Sequence, residues 1–329
     1  MSTFHVTLGA AAATLAAALV TTPVLADDMS DYVAMFEPLP HIPPIPEGAT
    51  QSPERIELGR MLFFEPRISA SGVISCATCH NPALGWTDRI PRGTGHEGQI
   101  GDRNTPTVLN SGFLEAQFWD GREDDLEGQA LGPIQASIEM NMTLDQAISR
   151  LNEFEVYQEA FAEAFPGDND PVTPRNVALA IAAFERTLNT PNSPFDRFLM
   201  GDRDALDDQQ QEGMRLFVDN GCIACHSGPI LSDSQFHRFE LPGSTDEGRF
   251  LVTGDDVDRF AFRTPTLRNV ALTYPYFNNG SVDNLKDAVN LMGQQMLGHE
   301  FEADELESIV AFLDSLTGEM PHIEVPVLP

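Results

Sequence analysis

Apolar residues recur along this chain with the period of a helix. Leu144, Ala147, Ile148 and Leu151 fall on one helical face behind Thr143 and Gln146, which form a capping box. Thr173-Pro174 opens a second helix, with Val177, Ile181, Phe184 and Leu188 as its apolar stripe. Two further helices are predicted at about 208–219 and 303–316. Residues 27–50 hold Pro38, Pro40, Pro43, Pro44 and Pro46 without helical periodicity, and are expected to form an extended arm. Nowhere does a period of two persist, so the fold class expected is mainly α, with long loops and little strand.

One apolar run has a different meaning. Val6 to Leu25 is uncharged and dominated by small residues, and it closes on Val24-Leu25-Ala26 before Asp27 and Asp28. This predicts a signal peptide, residues 1–26, cut after Ala26, although no lysine or arginine precedes the run. A membrane anchor is the competing reading, but small-x-small before the acidic pair suits cleavage better. The expected location is the periplasm. Fifty acidic against nineteen basic residues give a formal charge of −31, which repels nucleic acid and anionic membrane surfaces. The same charge would steer a basic partner toward this surface, besides keeping the protein solvated.

The chain also repeats itself. Gly59-Arg60-Met61-Leu62-Phe63 precedes Cys76-Ala77-Thr78-Cys79-His80, as Gly213-Met214-Arg215-Leu216-Phe217 precedes Cys222-Ile223-Ala224-Cys225-His226. Thr105-Pro106-Thr107 matches Thr264-Pro265-Thr266, and Phe118-Trp119-Asp120-Gly121 matches Phe277-Asn278-Asn279-Gly280. Proline and glycine are fifteen residues apart in both halves. A duplicated haem domain accounts for this, divided as a first domain at 51–195 and a second at 196–329.

The two Cys-x-x-Cys-His segments use all four cysteines. Two thioether bonds from such a motif fix a c-type haem, here through Cys76 with Cys79 and Cys222 with Cys225, and the adjacent His80 and His226 become proximal iron ligands. A redox dithiol or a zinc site competes, but two complete motifs in an exported chain favour haem. Twelve residues beyond the shared glycine stand Met292 in the second half and Pro133 in the first. Methionine ligates iron and proline does not, so the second haem is expected to be His226/Met292, with core packing as the competing use of Met292 and Met296 as the nearest rival ligand. In the first half His96 lies in a glycine-rich loop, either as a removable sixth ligand or as a solvated side chain. Gln129 and Glu139 flank Pro133, an amide and a carboxylate suited to orienting peroxide and moving protons at an open iron.

These residues resemble the bacterial di-haem cytochrome c peroxidases over essentially the whole mature chain. The likeness rests on Ser75 to His80, Arg103-Asn104-Thr105-Pro106-Thr107, Gln117 to Arg122, Gly132-Pro133-Ile134 with Glu139-Met140, Gly221 to His226, and Pro275-Tyr276-Phe277. It implies that the first haem is the low-potential peroxidatic one, with His96 on its distal side at rest and released when the other haem is reduced. It implies a distal catalytic pair of Gln129 and Glu139 with Pro133 lining the pocket, and an electron relay at Trp119 between the haems. It also implies a high-potential second haem that receives electrons, a calcium ion held by Asn104, Thr273 and Pro275, and a homodimer. One departure is Asn278, where family members commonly carry histidine, which bears on hydrogen bonding near the second haem.

The function expected is reduction of hydrogen peroxide to water with electrons from a small soluble cytochrome c or a cupredoxin. A related di-haem enzyme that oxidises tryptophans of a partner protein is one alternative, but in that group a tyrosine replaces the methionine ligand. The other is a non-catalytic electron carrier, which needs both irons permanently six-coordinate.

Overall fold

Capping side chains set most of the helix starts in the computed structural model, which describes residues 28–329. The expected signal peptide lies outside the described residues. In chain order the α-helices are α1 (Asp28–Val33), α2 (Pro53–Phe63), α3 (Cys76–Cys79), α4 (Leu126–Gln135), α5 (Leu144–Leu151), α6 (Glu155–Ala164), α7 (Pro174–Glu185), α8 (Pro194–Leu199), α9 (Asp208–Asp219), α10 (Phe250–Thr253), α11 (Leu285–Met292) and α12 (Ala303–Asp314). Thr143 and Gln146 cap α5 reciprocally, and Thr173 Oγ1 accepts from Asn176 N–H ahead of the proline that opens α7. The described strands are three residues each, β1 (Phe236–Arg238) and β2 (Ala261–Arg263), paired antiparallel with Phe236 opposite Arg263. Among the described residues the protein is therefore mainly α with long loops, as the pattern predicts.

Each half is built on one helix crossing. In the first half α2 packs on α7, where Phe63 and Phe184 meet edge-on at 5.3 Å. In the second, α9 packs on α12, where Phe217 and Phe312 meet edge-on at the same 5.3 Å. The repeated glycines sit at these crossings: a Cβ on Gly59 would stand 2.6 Å from the Ala180 carbonyl carbon, and one on Gly213 would stand 2.5 Å from that of Ser308. Only a residue without a side chain lets the backbones approach so closely. Two separate apolar cores result, one from Leu58 to Leu188 and one gathering Phe195 to Leu316.

The chain ends cross over these cores. The proline-rich arm starts with α1 rather than extended chain, and Phe36 inserts into the second core between Phe195 and Phe312. Leu39 N–H donates to the buried Asp196 carboxylate at 2.9 Å. At the other end Ile323 packs against the first core, and Arg67 Nη1 donates to the Pro329 carbonyl at 2.8 Å.

Between the halves the repeat becomes a pseudo-twofold. Asn110 and Asn269, matching positions both in the left-handed region at φ 61°, each donate Nδ2 to the same buried Thr190 hydroxyl at 2.8 Å. Asn104 N–H donates to the Asn278 carbonyl at 2.7 Å, and Arg263 N–H donates to the Trp119 carbonyl at 2.9 Å. Asn104 and Arg263 are the residues before the repeated Thr-Pro, and Trp119 and Asn278 hold matching places in the repeated Phe-x-x-Gly. The two halves thus dock through one exchange of hydrogen bonds, used twice.

Candidate haem sites and the wall between them

Each Cys-x-x-Cys-His segment follows the glycine-bearing helix of its half, and the following loop fixes the histidine. His80 Nδ1 lies 3.3 Å from the Trp86 carbonyl, and His226 Nδ1 lies 3.2 Å from that of Leu231. Trp86 and Leu231 both take positive φ, 60° and 52°, which turns their carbonyls back toward the rings. Thr107 and Thr266 brace these turns by donating their hydroxyls to the Gly85 and Ile230 carbonyls at 2.8 and 2.7 Å. With Nδ1 protonated and donating, Nε2 carries the lone pair that iron needs. Burial lowers the pKa of both imidazoles, that of His226 to about 4, which keeps them neutral.

The thiols fit attachment rather than metal binding. Burial raises all four, Cys79 and Cys222 to about 11 and Cys76 further, so the thiolate that zinc binding or dithiol exchange requires is disfavoured. A thioether carries no charge and suits such walls. Cys225, Asp233 and His237 bring ligand atoms within 4.8 Å of one another, but Cys225 belongs to the attachment motif. That leaves an Asp233–His237 pair, bonded at 2.8 Å.

Cys76, Cys79 and His80 line a cavity of about 1150 Å³, and Cys222, Cys225 and His226 line a narrower, more apolar one. The distal walls come from α4 and α11, which start at equivalent caps: Asp125 accepts from Gly128 N–H and Asn284 from Asp287 N–H. From that shared frame α4 presents Gln129, Ala130 and Pro133 to the first cavity, while α11 presents Ala288, Val289 and Met292 to the second. Met296 also lines the second cavity, from the π-turn Gly293–Leu297. Glu139 joins Gln129 and Pro133 on the first wall, its carboxyl raised by burial and drawn back by Arg122.

His96 is not brought onto that wall. Its neighbours Thr94 and Gly95 are there, whereas His96 N–H donates to the Glu139 carbonyl at 2.8 Å and its buried Nδ1 has no partner. Glu97 at φ 54° and Gly98 at φ 78° turn the loop away directly after it.

Trp119 lines both cavities, with Nε1 donating to the Asn104 carbonyl at 2.9 Å. Asn104, Thr273 and Pro275 all lie on the second wall. Asn278 is buried there, and its Nδ2 donates to Asp246 at 3.1 Å. Asp246 also takes Arg103 on both oxygens at 2.7 and 2.8 Å. The amide at 278 therefore completes an ion cluster that spans the two halves.

Two matches decide the family. A model of the di-haem cytochrome c peroxidase family fits residues 53–204, and a cytochrome c model fits 210–317. The cytochrome c551 peroxidase of Pseudomonas aeruginosa is 48% identical over 92% of this chain and 90% of its own. The chain belongs to the di-haem cytochrome c peroxidase family. The methylamine utilization protein MauG of Methylorubrum extorquens is 38% identical over 95% of this chain and 92% of its own. In three dimensions the chain resembles a MauG-like protein associated with microbial copper homeostasis, with TM-score 0.78, 28% identity, and coverage of 87% of this chain and 94% of that one.

For a di-haem peroxidase with c-type haems, two further wall residues carry no motif. Glu185, at the end of α7, is buried against the first cavity with Oε2 unpartnered, and burial raises its carboxyl to about 8. Arg263 lines both cavities. Its only sequence signal is its place before the second Thr-Pro, where the first half has Asn104.

Proposed function

We propose that the protein reduces hydrogen peroxide to water at the first haem, drawing electrons through the second from a small soluble cytochrome c or cupredoxin. The observation that carries this is the unlike pair of distal walls on one repeated frame: Gln129, Pro133 and Glu139 against Ala288 and Met292. The haem irons supply peroxide binding and one-electron storage when bound. His80 and His226 would hold the two irons, and Met292 would add a thioether ligand to the second, which would raise its potential.

The chain's own work lies on the distal side of the first site. Peroxide reduction to two waters consumes two protons and two electrons. Glu139, whose carboxyl pKa is raised by burial, is placed to take up a proton and relay it to the departing oxygen of peroxide, while the Gln129 amide is placed to orient peroxide by donating a hydrogen bond. Pro133 offers the iron no ligand. His96 would serve as the removable ligand of the first iron, and in the conformation described it stands off the cavity wall, which suits peroxide access. Trp119 relays electrons between the cavities it lines.

Calcium at Asn104, Thr273 and Pro275 is supported by donor chemistry. Asn104 uses Nδ2 to reach the Ile90 and Pro91 carbonyls, which leaves its Oδ1 as a hard oxygen, and Thr273 and Pro275 line the same cavity. A periplasmic location follows from the small-residue run before Asp27, and no described helix is long and apolar enough to cross a membrane. The family likeness favours a homodimer.

Met292, in place of a tyrosine, favours peroxide reduction over partner-tryptophan oxidation. The test is a half-reduced sample of the intact protein. Cyanide is expected to bind one haem only, and peroxide to be turned over with reduced cytochrome c as donor. If neither haem takes cyanide after mild reduction, the protein is an electron carrier and the proposal fails.

A further inference from the structure

Most of the buried and half-buried cations near the inter-cavity wall are matched. Arg103 is paired with Asp120 at 2.5 Å and with Asp246 at 2.7 Å. Arg268, in the second core, is paired with Asp196 at 2.8 Å. Arg263 is the exception. It is 5% exposed, yet its side chain reaches only neutral acceptors, with Nε donating to the Phe118 carbonyl at 3.3 Å and Nη1 to that of Thr264 at 3.0 Å. No carboxylate is paired with it among the described residues, and burial alone drives its pKa down to about 10. An unpaired buried charge costs several kcal/mol or so, which a native fold does not retain without a counter-charge.

The place of Arg263 says where that counter-charge comes from. Its side chain borders both cavities, and its own N–H holds the carbonyl of Trp119, the aromatic residue shared by the same two walls. Nη2 has no partner among the described residues. Of the carboxylates on the first cavity, Asp120 and Asp246 are paired with Arg103, while Asp102, Glu139, Glu185 and Asp283 make no bond to Arg263, and beside β1 Asp233 is paired with His237. Each haem brings two propionate carboxylates, and a guanidinium is the donor best shaped for a carboxylate.

We propose that Arg263 is the shared counter-charge for the haem propionates that meet at this wall, a single cation that holds both haems' carboxylates ionised and raises both reduction potentials. The inference rests on the two-haem reading and adds to it a residue that the first half of the repeat lacks. Removing a positive charge beside an iron favours its ferric state. It also lets the freed propionate take up a proton, so the potential becomes dependent on pH.

The experiment is a potentiometric titration of the intact holoprotein, each haem followed by its own absorption bands, for wild type, Arg263→Gln and Arg263→Lys. In Arg263→Gln both potentials are expected to fall and to acquire a pH dependence across the neutral range that wild type lacks. Arg263→Lys, which keeps the charge, should fall less. Unchanged potentials and pH profiles in Arg263→Gln with both haems attached overturn the proposal, and a shift confined to one haem overturns the shared role. A lower unfolding temperature with unmoved potentials would show that Arg263 serves only the Phe118 and Thr264 carbonyls. If Arg263→Gln fails to mature, the wild-type pH profile decides, because potentials that already depend on pH across the neutral range with Arg263 in place overturn the proposal. Absence of haem from the wild-type protein would refute the underlying reading instead, and is seen before any variant is made.

Discussion

Replacing Gly59 or Gly213 by alanine sets two opposed effects against each other at the helix crossings. In a helix interior alanine gains about 1 kcal/mol over glycine. Against this, the new methyl on residue 59 would meet the Ala180 carbonyl carbon at 2.6 Å and Phe184 Cβ at 2.9 Å, and that on residue 213 would meet Ser308 and Phe312 at 2.5 and 2.8 Å. Ordinary carbon contacts lie at about 3.5–4.0 Å, so α7 or α12 must retreat by roughly 1 Å. The atoms in the way are backbone and Cβ, which no rotamer change can move. Overpacking of this kind costs about 1–3 kcal/mol and more where backbone must shift, and here it also unseats the Phe63–Phe184 or Phe217–Phe312 contact beside the proximal histidine. The net loss expected is about 2 kcal/mol, or roughly 4–8 °C in unfolding temperature for a domain of this size. Thermal unfolding of the holoprotein, followed at each haem's own band, reads the effect, and each variant should weaken its own haem domain first. An unchanged or raised unfolding temperature would mean that propensity wins and that the helices do not cross this closely.

Three further outcomes follow from the site. Glu139→Gln should lower peroxide turnover by about 10²–10⁴-fold with both haem spectra intact, measured with reduced cytochrome c as donor. Met292→Ala should lower the potential of the second haem and impair activation, and an unmoved spectrum and potential would remove Met292 from the ligands. Glu185 has a folded pKa raised from 4.5 to about 8, so it favours folding below the unfolded value and that contribution is lost as pH rises through about 8. Glu185→Gln should therefore gain stability relative to wild type between those values, by up to a few kcal/mol at about 1.4 kcal/mol per unit. Denaturant titrations near pH 5 and about pH 9 check this, and a difference that does not grow with pH refutes it.

What the sequence discloses is what local spacing encodes. The capping pair at Thr143 and Gln146, the Thr173-Pro174 start and the equal Pro106–Gly121 and Pro265–Gly280 intervals each concern a few neighbouring residues, and they reappear as α5, α7 and matched caps on α4 and α11. The joins between halves are of another kind. Asn104 to Asn278 and Arg263 to Trp119 are backbone hydrogen bonds between the halves, and any donor residue but proline makes them. The proline-rich arm looks extended because only six residues of it are helical, and its seat on the second core depends on one aromatic, Phe36. Glu185 reads as an ordinary charged residue at a helix end, and only the tertiary packing around α7 buries it. His96 is recognisable as a candidate ligand, but its backbone is held by the Glu139 carbonyl, more than forty residues away in the chain, which the local motif does not disclose.

The two proximal sides are so nearly alike that they cannot be what separates the haems. Carbonyls at 3.3 and 3.2 Å hold both imidazoles, matched threonines brace both turns, and a phenylalanine stands 6.4 Å from each ring. The difference must come from the distal helices and the wall. This has a direct consequence at one position. Pro133 and Met292 are equally spaced from their helix caps and both face a cavity, so Pro133→Met places a thioether in the first site at the position that Met292 holds in the second. The replacement restores a helical N–H that proline lacks, and so should not unfold α4. The first haem is then expected to become methionine-ligated on reduction, to rise in potential and to stop binding cyanide in the half-reduced protein, with peroxide turnover lost. Should the variant still bind cyanide there, equal position does not give equal reach, and the distal identity lies in Gln129, Glu139 and the 94–99 loop instead.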